Sequence, residues 1–92
     1  MQAIKLATGD TLTVLFCGIG SVSQSLIFDT ETYKDFPALA ALLSDPAATE
    51  TIVLSNGRED TIYKGYTHLA SISAQPGGAY RVFLQKEAVS NG

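Results

Sequence analysis

Charge is scarce in this chain, and the little there is lies scattered. Asp, Glu, Lys and Arg make up 16% of its 92 residues, against roughly 25% in an average soluble domain. The basic residues Lys5, Lys34, Arg58, Lys64, Arg81 and Lys86 each stand singly, and the formal net charge is −3. A nucleic-acid binder needs a basic stripe to replace counterions on phosphates, so no nucleic-acid partner is expected. Cysteine is nearly absent. Cys17 stands alone, which rules out an internal disulfide and argues against a small secreted scaffold held by staples. Long apolar runs are missing too. No segment approaches the ~20 residues of a membrane span, and the opening Met-Gln-Ala-Ile-Lys-Leu does not read as a signal peptide. The expectation is a cytoplasmic protein with no membrane partner.

What the chain does have is apolar character and strand periodicity. Hydrophobic residues make up 46%, enough for one compact core at this length but not for two. A small protein with few charges keeps much neutral surface, which favours association. The expectation is a homo-oligomer or a protein-partner surface.

Apolar residues recur with period two along most of the sequence. The first strand falls near residues 3–7, with Ile4 and Leu6 in phase. Gly9-Asp10 reads as a two-residue turn of the glycine-first type. The second strand, near 11–17, sets Leu12, Val14 and Phe16 on one face and Thr13, Leu15 and Cys17 on the other. After Gly18-Ile19-Gly20-Ser21, a third strand near 22–29 carries Val22, Leu26 and Phe28 in phase. One helix of about ten residues follows. Asp35 reads as its N-cap, Pro37 suits its first turn, and Phe36, Leu39, Leu42 and Leu43 form its apolar stripe. Asp45-Pro46 reads as its stop. Further strands are expected near 51–55, 61–66, 66–74 and 80–86. Asn56-Gly57 and Gln75-Pro76-Gly77-Gly78 mark turns between them. The fold class is therefore α+β, a mostly antiparallel six- or seven-stranded sheet or partly open barrel, with one short helix between strands three and four. Residues 1–86 form a single domain, and residues 87–92 a flexible polar tail.

Few residues carry chemistry. Cys17 ends a strand with no predicted cation or helix N-terminus beside it, so its thiolate should be scarce. Gly18-x-Gly20 lacks the following helix that a phosphate loop uses. His68 is the lone histidine, and one His with one Cys cannot supply the three or four ligands of a zinc site. Asp29, Glu31 and Asp35 form a short acidic group without the glycine and closing acid of a calcium loop. An enzyme using Cys17 and His68 is the least favoured reading; no catalytic residue, cofactor, metal or small-molecule substrate is expected. The aromatic residues Tyr33, Tyr63, Tyr66 and Tyr80 draw more interest. Tyrosines are common at interfaces, because the ring buries while the hydroxyl stays wet. Tyr63 and Tyr66 are the candidate partner surface. A strand period of two would place them on opposite faces. A bulge or sharp bend at Gly65 would bring them together.

The order of these features resembles a known group. Ile4-Lys5-Leu6 precedes a polar turn, Leu39-x-x-Leu42-Leu43 ends in Ser44-Asp45-Pro46, and Thr49-Glu50-Thr51-Ile52 begins a strand. Ile62-Tyr63-Lys64-Gly65-Tyr66-Thr67 follows, then a closing strand. This is similar to the small uncharacterised proteins encoded among the tail genes of prophages in Gram-positive bacteria, over the chain up to about Lys86. The resemblance implies a phage-derived structural or assembly protein, a tail or baseplate component or its chaperone, with phage tail proteins as partners and the cytoplasm or a virion as its location. The motifs are structural in look and carry over no functional residue. Relatives often have a longer C-terminal extension than this chain. An adaptor or inhibitor that docks a protein through a sheet edge is the other reading.

Overall fold

In a computed structural model of the chain, residues 2–19, 25–31 and 36–86 are described. The central feature is a meander. β1 (Gln2–Leu6), β2 (Thr11–Ile19) and β3 (Leu26–Thr30) pair antiparallel in sequence order. Two hairpins flank it. β4 (Thr51–Ser55) pairs with β1 and carries β5 (Asp60–Lys64) outside it. β7 (Tyr80–Gln85) pairs with β3 and carries β6 (His68–Ala74) outside it. The result is one seven-stranded antiparallel sheet in the order β5-β4-β1-β2-β3-β7-β6.

This order forces the sheet to curl. β5 and β6 are its two edges, yet three residues, 65–67, join them. Six strand spacings laid flat would separate the edges by roughly 29 Å. The connection spans at most about 15 Å. The edges therefore approach each other at that corner, while no ladder bonds join them. Two bulges help to bend the strands. On β2 the register shifts between Val14 and Phe16, and on β6 between Leu69 and Ser71. Each inserts one unpaired residue, Leu15 or Ala70, and sharpens the local twist.

The concave face holds the core. Ile4 and Leu6, Leu12 and Val14, Leu26 and Phe28, Ile52, and Val82 and Leu84 are buried there. Burial of each such side chain stabilises the fold by about 1.5–3 kcal/mol. Between β3 and β4 the chain forms α1 (Phe36–Leu43) and α2 (Pro46–Thr49). Leu39 and Leu43 of α1 and Ala48 of α2 are buried in the same core. Eight residues cannot sustain a helix alone, so this packing holds α1 in place. The α2 turn is anchored separately, by the Ala7 amide donating to the Ala48 carbonyl at 2.9 Å.

Several sequence expectations need correction. Asp45-Pro46 ends α1 but also starts α2. The Asp45 carboxylate accepts the Ala47 amide at 3.0 Å and Pro46 takes the first helical position, where a missing amide costs nothing. There are thus two short helices, not one of ten residues. Phe36 does not lie in the core stripe: it is 43% exposed and stacks obliquely on Tyr80 at 5.7 Å. Gly9 closes a turn rather than opening one. The Gly9 amide donates to the Leu6 carbonyl and the Leu6 amide to the Asp10 carbonyl, at 2.9 and 2.8 Å. With φ at +97°, Gly9 is the left-handed third residue of a three-residue loop. The bulge at Leu15 overturns the simple alternation on β2. Cys17 pairs with core-facing Phe28 and packs against the core, while Leu15 is 59% exposed. The third strand begins at Leu26. The fifth strand ends at Lys64 and the sixth starts at His68, so Tyr66 belongs to neither. Val22, Tyr33, Asp35 and the 87–92 tail lie outside the described residues.

Candidate functional site

The candidate tyrosines meet at the corner where the two edges converge. Gly65 has φ +86°, a left-handed conformation that glycine adopts without steric cost. Its amide donates to the Glu50 carbonyl at 3.0 Å, which ties the corner to the start of β4. The chain breaks from the β5 ladder here and turns toward β6. Tyr63 and Tyr66 come together edge to face, with centroids 6.1 Å apart and planes at 79°. This is the favoured geometry for aromatic quadrupoles. The bend expected at Gly65 is present, as a break between two strands rather than a bulge within one.

The two rings are not equally available. Tyr66 is only 7% exposed and belongs to the core. The Lys86 ammonium lies over its ring at 5.4 Å, a cation–π contact. Tyr63 is half-buried and packs against the core from β5. Burial, with smaller contributions from Cys17 and Tyr66, pushes the Tyr63 phenol above its ordinary pKa. The aromatic pair thus wedges the corner from inside.

The surface beside the pair is different. Among the described residues β5 has one ladder partner, β4, and no strand pairs with its other side. Asp60, Thr61, Ile62 and Lys64 are exposed, and Ile62, at 58%, is among the most exposed large apolar residues. No sequence motif singles Ile62 out. The available signal is its place between Asp60 and Lys64 on a strand that follows a hairpin turn. That turn is built by Asn56. Its side-chain oxygen accepts the Arg58 and Glu59 amides at 2.9 and 3.1 Å, as an Asx turn does.

The remaining polar residues are accounted for otherwise. Burial pushes the Cys17 thiol up to about 11, so little thiolate exists at neutral pH. His68 is exposed at the start of β6. Asp29 is held in a two-pronged ion pair by Arg81, at 2.7 and 2.9 Å, across the outer face of β3 and β7. The hydrogen bonds from Arg81 hold its carboxyl below the ordinary range. Glu31 is exposed and lines a shallow depression with Leu15, Gly77, Gly78 and Ala79. Among the described residues no three His, Cys, Asp or Glu side chains gather as metal ligands, and no helix is long and apolar enough to cross a membrane. Comparison with protein-family models, with curated proteins and with solved structures yields no match to this chain.

Proposed function

We propose that this chain is a phage- or prophage-derived structural or assembly protein, associated with a tail or baseplate, that acts by contact with other protein subunits and not by catalysis. The observation that carries the reading is the open β5 edge with its exposed Ile62. An unpaired strand offers a row of backbone donors and acceptors to a strand from another chain. An apolar residue at its middle adds contact area. The likeness of the Ile62–Thr67 segment and its neighbours to tail-gene proteins points the same way. Its place of action is then the cytoplasm during assembly, or the virion.

A second reading is a small adaptor or inhibitor that docks one partner through the same edge. The opposite charges at Asp60 and Lys64 favour it to this extent: they would select a partner strand by its own charges. Mass in solution, measured by sedimentation across a wide concentration range, separates the two. Self-association to a fixed stoichiometry supports assembly. A strict monomer favours the adaptor.

A further inference from the structure

We propose that β5 pairs antiparallel with β5 of a second copy of this chain, in a two-fold register centred on Ile62. The proposal deepens the assembly reading and rests on it.

The phase of the β4–β5 ladder determines which backbone groups are free to do this. The ladder is flanked by the Gly65 amide donating to the Glu50 carbonyl at 3.0 Å and the Asn56 amide donating to the Glu59 carbonyl at 3.4 Å. Bonded pairs in an antiparallel ladder alternate with non-bonded ones. With the observed register, Thr61–Leu54 and Tyr63–Ile52 are therefore the bonded pairs. Their amides and carbonyls point toward β4. Those of Asp60, Ile62 and Lys64 point to the open side.

The same three residues share a side-chain face, because they alternate with Thr61 and Tyr63. Tyr63 points to the core and packs there, so Asp60, Ile62 and Lys64 present their side chains on the outer face, where all three are exposed.

A second β5 matches this row of backbone groups in register. With Ile62 opposite its own copy, Asp60 falls opposite Lys64 of the other copy, and Lys64 opposite Asp60. Each of these three pairs has both members' backbone groups pointing outward, so each can exchange two bonds, about six in all. The two exposed isoleucines meet at the axis. An acid–base pair lies on either side of it. Opposite charges directly across a strand pair stabilise it, and like charges destabilise it. An interface that maps onto itself by a two-fold rotation closes as a dimer. The other edge offers no such match. β6 carries the bulge at Ala70, which disrupts a flat template.

A pairing of two short strands buries less than the roughly 1,200 Å² of a standard interface, so the dimer should form in the micromolar range. Sedimentation of the full chain up to about 1 mM, the weak end of measurable association, reads it. The wild type should pass from monomer to dimer. Asp60→Lys and Lys64→Asp should each weaken the dimer at least about tenfold, because each places like charges opposite on both sides of the axis. The double variant Asp60→Lys/Lys64→Asp should restore it. An equimolar mixture of the two single variants should also restore it, as a heterodimer with every pair complementary. Ile62→Pro should abolish it while leaving the β4 ladder whole, since only an outward amide is lost; circular dichroism and a melting curve confirm that each variant is folded. A wild type that stays monomeric throughout overturns the pairing. So does an oligomer indifferent to Asp60→Lys, Lys64→Asp and Ile62→Pro alike, but that result leaves the assembly reading intact.

Discussion

The two edges of this sheet are built on opposite plans. β5 is five residues without a bulge, its charges at the ends and Ile62 in the middle. β6 is seven residues, interrupted at Ala70 and lined outward with serine. A bulged edge cannot serve as a regular template, and bulges are one of the ways natural sheets avoid uncontrolled pairing. The smooth edge keeps a regular row of outward donors and acceptors, which a strand of complementary charge would suit better than one of like charge. A chain with one guarded and one selective edge can form a closed pair without growing into a fibre.

Four experiments break or sharpen this contrast. The largest effect should come from the core that both edges share. Leu39 is fully buried under the sheet, and Leu39→Ala should cost about 2–5 kcal/mol by chemical denaturation. A loss as small as a surface substitution, about 0.5 kcal/mol, would show that α1 does not hold the sheet closed.

Next is the corner that joins the edges. A Cβ at Gly65 would meet nothing within 4 Å, so the cost of Gly65→Val is expected to come first from backbone strain, roughly 1–3 kcal/mol. Gly65→Asn should cost less, because Asn tolerates the left-handed region. Equal costs for the two would place the penalty outside the backbone.

Deleting Ala70 turns the guarded edge into a smooth one. Leu69 and Ile72, which both pack against the core across the bulge, then stand two apart and keep the same inward face. No buried leucine is lost, so the stability cost should stay within about 1 kcal/mol. The more telling readout is light scattering, which should show new concentration-dependent aggregation. A variant that stays as dispersed as the wild type would mean the bulge does not guard β6.

The smallest effect concerns the outer face. The Asp29 carboxyl titrates lower in the folded chain than in the unfolded one, because it accepts hydrogen bonds from Arg81. The stability it contributes is therefore present above the ordinary aspartate range and is lost as pH falls through its lowered folded value. Asp29→Asn should lower stability by a constant amount above about pH 6 and flatten its loss below about pH 4, so that variant and wild type converge in acid. A change of equal size at both ends of that range would assign Asp29 a packing role instead.

The strand positions, the α1 stripe and the bend at Gly65 were legible because each rests on local signals. Alternation marks Ile4 and Leu6, and Val82 and Leu84. A helical spacing marks Leu39 and Leu43. A glycine between two tyrosines whose spacing conflicts with a strand marks the corner. The bulges were harder to read. Val14 and Cys17 stand three apart and both pack inward, as do Leu69 and Ile72. Such a spacing in a strand can mean an inserted residue or a change of face, and only the partner strand decides which. The curl was hidden for a related reason. It follows from β1 pairing with β4 and β3 with β7, contacts between segments far apart in sequence. Tyr66 shows the same limit. A tyrosine that suits an interface also suits a core, and its burial depends on where the corner sends it.

The three-residue corner also shapes the path by which the chain folds. The β4–β5 and β6–β7 hairpins add to opposite sides of the central meander, yet they are tethered to each other through 65–67. When one hairpin docks, the other is already confined near its own berth, so its search is that of a short loop rather than a free chain. The two long-range ladders are thereby coupled, and the second closes at high effective concentration. Lengthening the corner with flexible residues should slow refolding while changing the unfolding rate little, since docking of the second hairpin is the step that the tether accelerates.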